Sequence, residues 1–487
     1  MPESDGNPGG DGLLALSGTR LAALIRERRV SSSEVVDVHI RRIETVNPRL
    51  NAVVADRFER AREEARAVDE RLARSREPDL PPFLGVPFTL KENFAFPGMP
   101  NTSGLPARRG VHPVREATPL GRLRAAGAIP VGVTNVSELC MWMEADNRVY
   151  GRTNCAWDPG RTAGGSSGGE GAIVGAGGVP FGLGADIGGS IRLPAFFNGV
   201  FGHKPSGGLV PGTGQYPISS NEALQYLTTG PLARRAEDLM PLLRILAGPD
   251  GEDLRCEPFD LGDPGAVAIR DLDVILPRGP GLPRVSDDLV RAVWRAADHL
   301  DRAGARLRVV ELPEARHLEV IWSSMMSAAG GPSFSEMLGA GEDFNLGLEL
   351  LRCAFGRSDH TLPALGLAAV ERVPAAFPGM AARFVAEGHR LAARLTELAG
   401  PRGVLLVPPY LRTAPSHGHA MLSPFGWVYT AIFNVLRFPS TAVPMGLDAD
   451  GIPLGVQVVG PRGQDHRTIG VALELERAFG GWVRPGY

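Results

Sequence analysis

At 487 residues, with 43% hydrophobic and 22% charged side chains, the chain can bury a large core and is too mixed in composition to be disordered or fibrous. A net charge of −3 and a pI near 6.4 leave no electrostatic footprint for nucleic acid or an anionic membrane. Four scattered cysteines (Cys140, Cys155, Cys256, Cys353) form no CxxC and no metal spacing with histidine, which excludes a structural zinc site and predicts a reduced, cytoplasmic protein.

Residues 1–12 read as a flexible polar tail, because no basic region precedes an apolar run as in a signal peptide. No uninterrupted apolar stretch of about 18 residues occurs, so no membrane span is expected. Residues 13–77 read as helical. Leu13 to Arg28 carries apolar residues at helical spacing, and Ser31 to Glu34 resembles a capping box before Val35–Val46. Leu84–Lys91 predicts a buried strand, Ala117–Ala126 a helix and Ala128–Thr134 a strand, a βαβ unit that implies a partly parallel sheet. Short helices are expected at 168–176 and 191–197.

Beyond residue 250 the alternation resumes. Strands are expected at Val274–Leu276, Arg306–Glu311, Gly403–Val407, Ser440–Val443 and Gly455–Val459. Helices are expected at Ser286–Ala303, with Ser286 as cap, and at 466–479. Residues 314–400 are helix-rich and read as an insertion over a site. The fold class is α/β: a large, twisted, mixed sheet with helices on both faces, one domain over 13–487 with its core at about 80–250.

The segment from Thr162 to Lys204 is dense in glycine, with Gly-Gly-Ser-Ser-Gly-Gly at 164–169 and Gly-Gly-Ser at 188–190. Glycine at such density marks tight turns or close backbone approach. Three readings are open. A G-x-S-x-G nucleophile elbow at Gly164–Gly168 needs a strand before it, where Cys155–Arg161 is turn-like, and a later histidine such as His417 or His419. A phosphate cradle needs a P-loop lysine or a strand-borne GxGxxG, neither of which is in place. The third reading is close packing alone. Lysine adds a hint: the chain has 49 arginines and two lysines, Lys91 and Lys204. Only lysine can give up its proton when desolvated.

Val86-Pro87, Lys91, Gly164–Gly169 and Asp186–Arg192, in that order, resemble the amidase signature family of serine hydrolases. Asn135–Trp142, Pro194–Gly199, Phe201–Ser206 and Phe479–Val483 resemble its fatty-acid amide hydrolase 2 type. Animal enzymes of that type carry an N-terminal membrane segment that this sequence is expected to lack. The resemblance runs from about Leu13 to the end and implies the amidase signature fold. It implies Ser190 as nucleophile, Ser166 as bridging serine after a cis peptide bond from Gly165, and Lys91 as base. The backbone N–H groups of Ile187, Gly188, Gly189 and Ser190 would form an oxyanion hole.

Ser167, Asp186 and Arg192 are expected to support the site, and Lys204 and His203 to be structural. The resemblance implies that Cys140–Met143 lies near the site; Met141, Trp142 and Met143 are expected in a substrate pocket, with Phe425–Tyr429 and the 320–380 part of the insertion as further walls. The implied activity is hydrolysis of linear amides with an apolar acyl or aryl part through an acyl-enzyme, with no metal and no cofactor. The expected partner is a small-molecule amide, with no nucleic acid, and any self-assembly is expected to be a homodimer. Two alternatives share these serines: the A subunit of the glutamine-dependent tRNA amidotransferase, which usually has Gln where this chain has Leu193, and a short-chain or peptide amidase.

Overall fold

Residues 10–74, 79–219, 221–279, 282–371, 378–423 and 425–486 are described by the structure, a computed structural model. Eleven strands form one mixed sheet. They are β1 (Val53–Asp56), β2 (Pro87–Lys91), β3 (Ile129–Thr134), β4 (Phe181–Asp186), β5 (Phe201–Lys204) and β6 (Thr228–Ala233). After these come β7 (Asp273–Arg278), β8 (Arg306–Glu311), β9 (Gly403–Val407), β10 (Ser440–Leu447) and β11 (Pro453–Val459). Their spatial order is β1-β3-β2-β4-β6-β5-β10-β11-β9-β7-β8. β3, β2 and β4 run parallel, as do β9, β7 and β8, and the central strands pair antiparallel.

Side-chain alternation along the strands puts helices on both faces. On β9, Val404 and Leu406 join the main core, whereas Leu405 and Val407 join a second cluster. Six helices bear on the cavities described below: α1 (Gly168–Gly175), α2 (Arg192–Asn198), α3 (Asp287–Arg302), α4 (Leu318–Ala328), α5 (Pro378–Ala399) and α6 (Val428–Val435). Helix α3 packs on the main-core face, and α4, α5 and α6 build the second cluster. No helix among the described residues is long and apolar enough to cross a membrane.

The N-terminal expectations need correction. Residues 10–12 belong to one helical turn, Gly10–Leu13, and the expected tail over 1–9 lies outside the described residues. The helix expected from Leu13 to Arg28 is broken. Ser17 caps a separate helix, Gly18–Arg26, its hydroxyl accepting from the Arg20 amide at 2.9 Å. Ser31 caps Ser32–Leu50 in the same way, and left-handed Asn51 (φ 51°) then turns the chain into β1, inside the stretch expected to be helical. Ser286 stands at the head of α3, yet its hydroxyl makes no capping bond.

Candidate active site

Strands β2 and β4 are parallel neighbours, so their C-terminal ends lie together, the usual place for a ligand in an open α/β sheet. β2 ends at Lys91; β4 ends at Asp186 and releases the turn 187–190 into α2. The third piece, Gly164–Ser167, leads into α1. One carbonyl ties the pieces: Ala185 O accepts from Ser167 Oγ at 3.2 Å and from Lys91 Nζ at 3.5 Å.

Lys91 is 1% exposed, and its Nζ lies 2.7 Å from Ser166 Oγ. It has no ion-pair partner among the described residues. Burial pushes its pKa down from the ordinary lysine value, opposed by the nearby Cys140, Asp186 and Glu170. Glu170, on α1, is buried with only threonine hydroxyls for partners, Thr89 and Thr134 each donating at 2.8 Å. Burial, outweighing those bonds and Lys91, pushes its carboxyl up to about 8. Near neutral pH this carboxyl is mostly uncharged and does little to hold a proton on the lysine.

The Gly165–Ser166 peptide is cis. A side chain at 165 would press on the carbonyl of Trp142, so the approach of the 142–144 loop requires glycine there. The Ser167 amide donates to Ser190 O at 3.2 Å, which sets the two serine turns side by side.

The turn 187–190 is shaped from beneath by Asp186, whose carboxylate accepts from Gly189 N at 2.7 Å and Ile191 N at 3.0 Å. The Gly189 N–H is therefore occupied, a correction to its expected place in an oxyanion hole. The N–H groups of Ile187, Gly188 and Ser190 have no protein acceptor among the described residues. Gly189 has φ 120°, and a Cβ there would collide with Thr430 Oγ1, the hydroxyl that donates to Gly188 O at 3.0 Å.

Arg192 is fully buried beneath this turn, and all five of its N–H groups are used. Nε and NH2 reach the two Asp186 oxygens at 3.0 and 2.9 Å. NH1 donates to Thr430 O at 2.8 Å and Gln457 Oε1 at 2.7 Å, and NH2 also reaches Asn434 Oδ1 at 2.6 Å. Burial alone would raise the Asp186 pKa, but Arg192 holds it well below the carboxylate range. Arg192→Met is expected to cost roughly 3–5 kcal/mol, because it strands a buried carboxylate. A urea melt reads this as a lowered midpoint; an unchanged midpoint would show that the pair is dispensable.

Lys91, Ser166 and Ser190 line one cavity of about 120 Å³. Its apolar wall includes Met141 and, from the helix-rich segment 314–400, Met326 and Met337. Trp142 and Met143 are not in the lining; Met143 is buried in the main core and Trp142 packs against it, a correction to their expected role. Phe425–Tyr429 is not in the wall either: Trp427 meets Trp322 edge-on with ring centres 4.6 Å apart, and Tyr429 faces a different cavity.

Two groups, Glu170 and Asn93, escaped the sequence reading, and Cys140 was expected near the site without a role. Glu170 was visible only as a lone acid among small residues. Cys140 lines the cavity near Lys91, on left-handed backbone at Leu139 and Cys140 (φ 51° and 59°). Asn93 lines the cavity too; its Nδ2 donates to Gln215 Oε1 at 3.2 Å and its buried Oδ1 has no partner among the described residues.

The remaining candidates lie apart. Fully buried His203 bonds Thr441 Oγ1 at 2.9 Å and Asp465 Oδ1 at 3.2 Å. His417 bonds Pro159 O at 3.0 Å, and neither it nor His419 lines the cavity. No strand leads directly into Gly164, where the described residues before it make only isolated bridges, so the nucleophile-elbow reading fails. Lys204 is buried, donates to Pro205 O at 2.8 Å, and is pushed down to about 7 by burial and then by Arg192. The arrangement thus supplies a desolvated amine on one hydroxyl, a second hydroxyl in the same cavity, and backbone donors without a protein acceptor among the described residues in the turn that carries it.

A family model described as Amidase matches residues 34–469. The human fatty-acid amide hydrolase 2 is 42% identical over 97% of this chain and 91% of its own length. The A subunit of a glutamyl-tRNA(Gln) amidotransferase from Anaeromyxobacter sp. (strain K) is 33% identical over 94% of both chains. Among solved structures, a 6-aminohexanoate cyclic dimer hydrolase complexed with substrate superposes with a TM-score of 0.81 at 27% identity, covering 97% of this chain and 99% of its own.

Proposed function

The chain belongs to the amidase family and is an amide-cleaving hydrolase, and on that premise we propose that it works through an acyl-enzyme on Ser190, with Ser166 and Lys91 as its proton relay. The observation that carries this reading is the 2.7 Å contact between Ser166 and a buried lysine with no ion-pair partner among the described residues, in the cavity that Ser190 shares. A serine hydroxyl attacks poorly until a base takes its proton. Ser190 Oγ attacks the amide carbon while its proton passes to Ser166 Oγ and the Ser166 proton passes to neutral Lys91 Nζ. The carbonyl electrons move onto oxygen, which faces the free N–H groups of Ile187, Gly188 and Ser190.

Collapse of this adduct breaks the C–N bond. Lys91 returns its proton through Ser166 to the leaving nitrogen, a necessary step because an amide anion is too basic to depart. Water then repeats the sequence on the Ser190 ester, freeing the carboxylic acid.

The substrate class follows from the wall. Met141, Met326 and Met337 offer polarisable, adaptable apolar surface to an acyl or aryl group, and the similarity to fatty-acid amide hydrolase 2 favours an aliphatic acyl chain. Rates on oleamide, an anilide and a short polar amide check this. The expected order places oleamide and the anilide above the short amide; turnover confined to the short amide would sink the apolar preference. The tRNA-amidotransferase alternative is the weaker reading, since that relative is the more distant and Leu193 replaces the usual Gln. Amidase activity of the purified chain without partner subunits separates the two.

A further inference from the structure

A second cavity, of about 240 Å³, shares no lining residue with the Ser190 cavity. The two meet across α6. Thr430 and Asn434 on one face of that helix hold the turn 186–190, and Tyr429, Ile432 and Phe433 on the neighbouring face line the second cavity. The opposite walls come from α3, α5 and β9, through side chains such as Val293, Leu391 and Leu405. Among the described lining residues one side chain is charged, Arg278.

Arg278 is exposed and ends β7. Its guanidinium stands 5.7 Å from the Trp294 ring centre and has no ion-pair partner among the described residues. Val290, 41% exposed, also belongs to the lining, so the cavity reaches the surface on this side. Apolar cavities of even about 150 Å³ stay dry and take up apolar molecules. A guanidinium left free beside such a cavity matches a carboxylate, which it can hold by two parallel hydrogen bonds.

We propose that this cavity binds a linear aliphatic carboxylate, with its chain between α3 and α6 and its carboxylate on Arg278. The site is separate from catalysis and does not depend on the acyl-enzyme reading. An acid of this kind is what hydrolysis of an aliphatic amide releases, so product would have a resting place that leaves Ser190 open.

The test uses the full chain after Ser190 is capped with a fluorophosphonate and the adduct mass confirmed. Calorimetric titration is expected to find one decanoate bound per capped chain. Arg278→Gln should weaken decanoate roughly tenfold while changing decanol by less than about twofold, since only the acid uses the charge. Val293→Phe, which fills the cavity, should remove both. A capped wild-type chain that binds no decanoate, or an Arg278→Gln chain that binds it undiminished, overturns the proposal. Failure of the cap to form counts against the catalytic reading instead. Uncapped chains then decide by stoichiometry, Arg278→Gln and Val293→Phe each being required to weaken or lose one bound decanoate.

Discussion

Ser190→Ala is expected to lower kcat on any amide by a factor on the order of 10⁶, because removing a serine nucleophile collapses the whole relay rather than one part of it. The fold should survive. Ser190 is a small, buried side chain, and no hydrogen bond of its hydroxyl holds the turn; that task falls to Asp186, Arg192 and Thr430. The same substitution should abolish labelling by a fluorophosphonate, while Ser166→Ala should slow labelling and leave the adduct on residue 190. Peptide mapping of the labelled wild type decides the assignment. An adduct on Ser166 would exchange the two serine roles, and retention of more than trace turnover in Ser190→Ala would place the nucleophile elsewhere.

Lys91→Ala is expected to cost about 10²–10⁴ in kcat/KM on amides, the range for a lost general acid–base group. A matched ester with the same acyl group should lose less, since its leaving alkoxide needs less help from a returned proton. Lys91→Arg should fail as badly as Lys91→Ala, because a guanidinium keeps its proton. The pH profile carries the same logic. The amine must be neutral to accept the Ser166 proton, so activity falls as pH drops through the Lys91 pKa. Burial moves that limb below the ordinary lysine value of about 10.4. The limb should vanish in Lys91→Ala. Equal losses on amide and ester, or an acid limb that persists in the variant, would remove Lys91 from the proton path.

The serines in their glycine turns and the lysine in an arginine-rich chain stood out in the sequence, but the roles proposed for them came from the resemblance to the amidase signature family. The strands that hold them stood out less. Phe181–Asp186 carries glycine at 182 and 184 and reads as loop, yet it is β4, and at Gly182 a Cβ would collide with the Glu170 carboxyl. Strand β6 hides in the same way behind Gly230-Pro231, and β5 carries a buried histidine and lysine, which break up the apolar signal of a strand. Period-2 patterning is a signal of side chains, and these strands trade side chains for close backbone packing.

The pocket was read two residues too far along the chain, since Leu139, Cys140 and Met141 line the cavity. The left-handed pair Leu139–Cys140 rotates the following residues, so that Met141 faces the cavity while Trp142 and Met143 turn to the core. Backbone handedness at non-glycine residues leaves no periodic trace.

Both lysines of the chain are sealed in the interior, at 1% and 0% exposure. The outer face of the protein therefore offers no lysine amine to the solvent. Acetyl donors, reducing sugars, aldehyde fixatives and succinimidyl esters find no side-chain nucleophile of their preferred kind there. A ubiquitin-type ligase looking for an acceptor lysine on the folded chain finds none. Such reagents can reach Lys91 only by entering the cavity where Ser190 lies, so labelling mapped to Lys91, apart from any on a terminal amine, reports on entry to that cavity.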